Sequence, residues 1–171
     1  MGEDIRIYVA DLAAYNNGKL HGVWINVCNV LDDILQQVHE MLAASPEGSS
    51  EEYAIHDYEG FEGYSVSEYQ GIENVHEIAC FIEEHPGLSG ELLSEFNGNV
   101  EEARQAIEEN YCGCYGSVAE YAQELTEETS QIPEHLAFYI DYESMGRDME
   151  MGGDIYTIQT SYDEVHIFWN A

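Results

Sequence analysis

No lysine or arginine occurs from Leu20 to Ala103, nor from Gln105 to Gly146, although both intervals are rich in aspartate and glutamate. That imbalance constrains the fold more than any single motif. A charged carboxylate is almost never fully buried without a partner, so nearly every acid here must reach water. Each helix or strand built from such sequence therefore needs an acidic wet side and a wholly neutral dry side. Across the 171 residues, 35 Asp plus Glu stand against 4 Lys plus Arg, a formal net charge of −31. Solubility alone asks for a net charge of about 2–8 in a small domain. Disordered acidic chains are poor in aromatics, whereas this one carries 13 Tyr, 5 Phe and 2 Trp and is 44% hydrophobic. The acidity is thus laid over a packed protein.

The stretch Ser117 to Glu134 shows how the two demands are met. Ser117 is a helix N-cap, and Glu120 three residues on completes a capping box. Val118, Tyr121, Ala122 and Leu125 recur at helical spacing as one apolar stripe. Glu120, Glu124, Glu127 and Glu128 fall on the other side, one turn apart. Like charges at that spacing repel by a few tenths of a kcal/mol per pair, and no lysine is interleaved to relieve them. The stripe suits either a core or the contact with a second copy of the chain, since tyrosine and small residues are common in both places.

The chain reads as three segments. In residues 1–61, Ile5 to Leu12 and His21 to Val27 alternate as two strands around the Asn16-Asn17-Gly18 turn. A helix capped by Asn29 then runs to about Ala44, and Tyr53 to Tyr58 adds a third strand. Leu31, Ile34, Leu35, Val38 and Leu42 are expected on its inner face. Residues 62–103 lose the alternating pattern and read as small helices, with stops at His85-Pro86-Gly87 and Asn97-Gly98-Asn99. Residues 104–171 hold the Ser117 helix and a further helix opened by Pro133 and running to about Met149, with Leu136, Ala137, Ile140 and Met145 inward. A hairpin of Ile155 to Thr160 and Val165 to Trp169 closes the chain. The fold class expected is α+β, an elongated three-domain chain with a sheet and helix first, helices in the middle, and helices with a hairpin last. The three segments carry 11 acids against 2 bases, 10 against 0 and 14 against 2, nets of −9, −10 and −12. Charge is spread along the chain and not gathered in one pocket.

Enzyme chemistry finds little support. Paired carboxylates can be invented anywhere in so acidic a chain, but a catalytic pair needs two environments that push two pKa values apart. Glu73-Asn74-Val75-His76 is a single Glu-x-x-His where a carboxylate-bridged metal bundle needs two. Cys112-Gly113-Cys114 lacks a second close cysteine pair, so no metal site is assigned and the four cysteines read as structural thiols. No phosphate loop, calcium loop or nucleophile elbow is present. No cofactor is expected. The opening MGEDIRIYVADL is acidic, with no long apolar core, and no membrane-length apolar run occurs, so a cytoplasmic protein with no membrane partner is expected. A surface this negative repels nucleic acid and draws proteins that carry basic grooves.

Three blocks carry a family resemblance: Ile7-Tyr8-Val9-Ala10-Asp11-Leu12-Ala13-Ala14-Tyr15-Asn16-Asn17-Gly18-Lys19-Leu20-His21-Gly22-Val23-Trp24, then Glu52-Tyr53-Ala54-Ile55-His56-Asp57-Tyr58-Glu59, and Tyr139-Ile140-Asp141-Tyr142-Glu143 with Gly146-Arg147-Asp148. Together they resemble the ArdA antirestriction family of conjugative plasmids and transposons, and the helix from Val118 with Glu127-Glu128-Thr129 and Ile132-Pro133 is similar to that family's antirestriction region. The resemblance implies an elongated, three-domain homodimer that imitates bent B-form DNA and occupies the DNA-binding groove of type I restriction-modification enzymes. It also implies that the third domain makes the dimer contact. The expected mimic surface is Glu83, Glu84, Glu91, Glu95, Glu101, Glu102, Glu120, Glu124, Glu127 and Glu128. The expected dimer contacts are Val118, Tyr121, Ala122 and Leu125. The alternative is an acidic chaperone or sequestering protein for basic nucleoid-type DNA-binding proteins.

Overall fold

A computed structural model describes residues 4–48 and 50–170. The chain divides into two compact units at Val100/Glu101.

The N-terminal unit is built on a three-stranded antiparallel sheet of order β2-β1-β3, with β1 (Arg6–Asp11) between β2 (Gly22–Asn26) and β3 (Tyr53–Glu59). The period-two alternation of Ile5, Ile7 and Val9 puts one row of side chains inward, and all three are buried. Ile7 lies opposite Ile25 on one side and Tyr58 on the other. Between β1 and β2 comes a short helix, α1 (Leu12–Asn16), capped by Asp11 through the backbone N–H groups of Ala13 and Ala14. Asp11 is fully buried and also accepts the Ser50 hydroxyl, which ties the loop after α2 to the end of β1. Burial alone would push its carboxyl up, but hydrogen bonds from Ser45, Ser50, Ala14 and Ala13 outweigh this and hold it below the ordinary carboxylate value.

The next helix, α2 (Leu31–Ala43), packs against β1 and β2 through Ile34, Val38, Met41 and Leu42. Its N-cap is Val30, with no side-chain cap bond, and not Asn29. Asn26 has already turned the chain by accepting the Cys28 N–H at 2.9 Å, which carries Asn29 out to solvent before the helix starts. Leu35, expected inward, is 44% exposed.

Beyond β3 the unit is helical, with α3 (Ile72–Glu84) and α4 (Ser89–Glu95). Ile72, Val75, Ile78, Ala79 and Ile82 of α3 are buried, as are Leu92 and Leu93 of α4. Asn97 and Gly98 take left-handed backbone (φ 54° and 83°), and the Gly98 N–H returns to the Leu93 carbonyl at 2.8 Å to close α4.

At the division, α5 (Val100–Gln105) runs on as a π-helical turn to Asn110. The C-terminal unit contains β4 (Tyr111–Tyr115), α6 (Val118–Thr129), a 3-10 helix (Glu134–Tyr139), α7 (Tyr142–Met151), β5 (Ile155–Ser161) and β6 (Glu164–Trp169). Its sheet is three-stranded and antiparallel, of order β4-β6-β5, so the expected hairpin gains a third strand. That strand is Tyr111-Cys112-Gly113-Cys114-Tyr115, which has no aliphatic alternation. Gly113 at φ +123° lets it bulge against β6.

The expected helix from Glu134 to Met149 is broken in two. Pro133 stands in extended backbone before a 3-10 helix, Ile140 is also extended, and Asp141 then caps α7 by accepting the Ser144 N–H at 3.0 Å. Leu136 and Ala137, expected inward, are exposed in consequence, while Ile140 and Met145 are half-buried. α7 lies against α6 where Gly146 is buried: a Cβ there would come within 2.9 Å of Val118 Cγ1, so the close approach requires glycine.

The architecture is therefore α+β, with a sheet and helix first, a helical region in the middle, and helices with a β-hairpin at the end.

Candidate functional site

The feature that sets this molecule apart is its surface. Every described aspartate and glutamate is exposed apart from Asp11, which is buried, and Glu47, which is half-buried. With 4 Lys plus Arg for 35 acids, most of that charge has no basic side chain to meet. Arg6 pairs with Glu59, and Lys19 with Glu47 at 2.8 Å. His56 lies 3.4 Å from Glu68, and His85 4.0 Å from Glu84.

The ten glutamates singled out from sequence are all exposed. In the N-terminal unit Glu83 and Glu84 end α3, and Glu91 and Glu95 ride on α4. In the C-terminal unit Glu101 and Glu102 begin α5, and Glu120, Glu124, Glu127 and Glu128 line α6.

What holds such carboxylates in place is mostly neutral. Gln36 donates its amide to Glu40, Gln105 to Glu109 and Gln123 to Glu127, each at 3.0 Å and each to a glutamate four residues further along the chain. The Gly87 N–H meets both oxygens of Glu62, at 2.9 and 3.0 Å. Thr157 donates to Glu150 at 3.3 Å and Thr160 to Glu164 at 3.1 Å. A neutral donor restricts the carboxylate and leaves its charge intact, whereas a lysine would do the first and undo the second. These donors were not singled out from sequence. The signal was present as a glutamine four residues before a glutamate, repeated at 36/40, 105/109 and 123/127.

α6 concentrates the pattern. Ser117 accepts the Glu120 N–H at 3.2 Å, as the capping box requires, but Glu120 reaches one residue further back than expected, to the Gly116 N–H at 2.9 Å. The Glu124 carboxylate beside the Tyr115 hydroxyl, together with burial, pushes that phenol up to about 12. Beneath this face the stripe packs on the unit's own sheet. Tyr121 is 4% exposed and sits with Ile155, Val165 and Ile167, while Val118, Leu125, Cys112, Tyr115 and Met149 pack around them. Ala122 is fully buried, and Val118 and Leu125 are half-buried. Of the four residues named as dimer contacts, two are thus inside the unit's own core, and two stand at its margin.

The remaining candidates for chemistry are structural in their surroundings. His76 Nδ1 lies 2.8 Å from the Val27 carbonyl and 3.8 Å from Cys80 Sγ, so His76 ties α3 to the chain just after β2, while Glu73 is exposed. The four cysteines are free thiols. Burial, then the neighbouring Glu83 carboxylate, pushes the Cys28 thiol up to about 12, and burial also raises Cys80. A thiol held protonated is a poor nucleophile. Among the described residues no group of three or more His, Cys, Asp or Glu is arranged to hold a metal ion, and no helix is long and apolar enough to cross a membrane.

No curated protein sequence matches the chain at a significant level. The profile of the ArdA family, antirestriction proteins, matches residues 7–164 of the 171, which takes in all three sequence blocks, nearly all of the first sheet, the acidic α6 and the chain as far as the start of β6. A match over nearly the whole length settles the relationship: this chain belongs to the ArdA family of antirestriction proteins.

Proposed function

We propose that the chain is an acidic mimic of B-form DNA that occupies the DNA-binding groove of type I restriction-modification enzymes and so inhibits them. Family membership implies a non-enzymatic role directed at type I restriction-modification systems. The observation that carries the finer reading is the surface of exposed carboxylates held by glutamine, threonine and backbone donors, which keep their charge. Duplex DNA carries one charge per ~1.7 Å of axis, so a charge of −31 corresponds to roughly 50 Å of duplex, or about fifteen base pairs. Docking would release ions from the enzyme's basic groove much as DNA does, and affinity would fall with salt. Imitation of the backbone offers no base edges, so inhibition would extend across enzymes of different recognition sequence.

On this reading the ten glutamates of α3 to α6 form part of the mimic surface. The three segments 1–61, 62–103 and 104–171 act as successive parts of it, and a homodimer formed through the last segment doubles its extent. Val118 and Leu125, at the margin of the α6 packing, are the contacts of that dimer, with Tyr121 and Ala122 holding them in place from within. The protein acts in the cytoplasm, where its target enzymes meet incoming DNA.

The test is direct. Purified protein in molar excess over a type I enzyme should abolish cleavage of unmodified duplex and displace labelled duplex from the enzyme. Cleavage and binding left untouched at that excess would end the proposal. A panel of basic nucleoid proteins completes the assay: indiscriminate binding to all of them would favour an acidic chaperone instead.

A further inference from the structure

We propose that a groove on the N-terminal unit receives an arginine side chain of the partner protein. It rests on the DNA-mimic reading, to which it adds one shaped contact. The groove encloses about 410 Å³ and is lined by Tyr15, Ile55, His56, Tyr58, Val66 and Glu68. It exists because β3 is an edge strand and the chain after it returns alongside, the Ile55 N–H donating to the Glu68 carbonyl at 2.8 Å. That return brings Val66 and Glu68 to one side. From the other, α1 brings Tyr15, whose ring meets His56 edge to face with centroids 4.7 Å apart.

The lining suits one chemistry. The half-buried Val66 offers apolar contact beside the buried Ile55, and Tyr15 and Tyr58 offer aromatic rings, of which Tyr15 is 53% exposed. Glu68 adds a carboxylate that is half open to solvent, with Oε1 3.4 Å from His56 Nε2. Its other oxygen, Oε2, makes no hydrogen bond among the described residues. A phosphate or carboxylate ligand would be repelled by Glu68 and by the net charge of −31. A neutral apolar ligand would strip water from Glu68 and give nothing back. A guanidinium meets every feature: its flat face stacks on tyrosine, its edge gives N–H groups to a carboxylate, and its methylene stem lies on Val66. An ammonium meets the charge but not the flat face. Arginine is also the residue that lines grooves which bind phosphate backbones. Unlike the open carboxylate surface, this contact has a shape, so it selects among basic partners.

The experiment is an NMR titration of the intact protein with N-acetylarginine amide, compared with N-acetyllysine amide. Saturable shifts are expected at Tyr15, His56, Tyr58 and Glu68, at lower concentration for the arginine derivative. Tyr15→Ala and Glu68→Gln should each weaken that binding about fivefold, a loss of roughly 1 kcal/mol, whereas Tyr15→Phe keeps the ring and the affinity. Shifts scattered over the whole acidic surface, or variants that bind as the wild type does, would overturn the proposal.

A second arm measures displacement of duplex DNA from a type I enzyme by the same variants. Leu20→Ala, at a 90% exposed position outside the groove, is the control. Displacement weakened about fivefold by Tyr15→Ala, with Leu20→Ala unchanged, is the expected result. Wild-type protein that binds the arginine derivative yet fails to displace DNA refutes the mimic while leaving the groove. Displacement that survives both Tyr15→Ala and Glu68→Gln unaltered refutes the groove alone.

Discussion

α6 and the segment from Glu134 to Tyr139 are neighbours in the chain, and the second is the richer in apolar residues, yet the first buries its apolar side chains and the second displays them. Tyr121 and Ala122 of α6 are at most 4% exposed, whereas Phe138 is 94% and Tyr139 84% exposed. The contrast lies in what each stretch has to lean on. α6 starts from a working cap, runs twelve residues and lays a continuous i, i+3, i+4 stripe on Ile155, Val165 and Ile167 of the sheet. The following stretch is held short by extended backbone at Pro133 and Ile140, and three residues per turn split its side chains into three rows, each too short to make a broad apolar face. Apolar content alone does not bury a segment. A cap, sufficient length and a facing sheet do.

The largest expected effect breaks the contrast from the buried side. Tyr121→Ala should cost about 3–5 kcal/mol of unfolding free energy by chemical denaturation, the usual range for emptying an aromatic from a core. A loss below about 1 kcal/mol would mean that the stripe is surface after all.

Alkaline titration probes the same face. The neighbouring Glu124 carboxylate, and then burial, raise Tyr115 from 10.0 to about 12, and burial raises Tyr121 as well. A phenol raised on folding stabilises the fold fully below its unfolded value and loses that contribution as pH climbs through its folded value. Stability should begin to fall above pH 9, where the raised thiols of Cys28 and Cys80 enter, and fall further between pH 10 and 12, with that second part reduced in Tyr115→Phe. A flat profile over that window would contradict the placing of Tyr115 beside Glu124. Ser117→Ala removes the cap that α6 has and the 3-10 segment lacks, and about 1 kcal/mol should go with it. Phe138→Ser gives the smallest change, under about 0.5 kcal/mol, because its ring touches little within the chain. Denaturant midpoints shifted as far as those of Tyr121→Ala would erase the distinction between the two segments.

The same pair shows where sequence reasoning succeeds. α6 was readable to within a few residues because a capping serine, a stripe and an acidic face all agreed. The first sheet was readable too, through the alternation of Ile5, Ile7 and Val9 and the turn at Asn16-Asn17-Gly18. β4 was not, since Tyr111-Cys112-Gly113-Cys114-Tyr115 carries no aliphatic alternation and its pairing with β6 is set by residues some fifty positions away. Nor was the break before α7, because a proline that can open a helix can equally stand in the extended residue before one. The acid surface itself was plain from charge alone. The donors that fix it were not, because a glutamine four residues before a glutamate is unremarkable until the helix is known to be there.

The central claim is that fixed carboxylates keep their charge and stand in for the phosphates of a duplex. The most direct measurement is the affinity of the protein for a type I restriction enzyme, read by displacement of labelled duplex across a series of salt concentrations. The account predicts competition at a shared groove, and a logarithm of affinity that falls linearly with the logarithm of salt, as it does for DNA. Binding that leaves the duplex in place, or an affinity indifferent to salt, would contradict it.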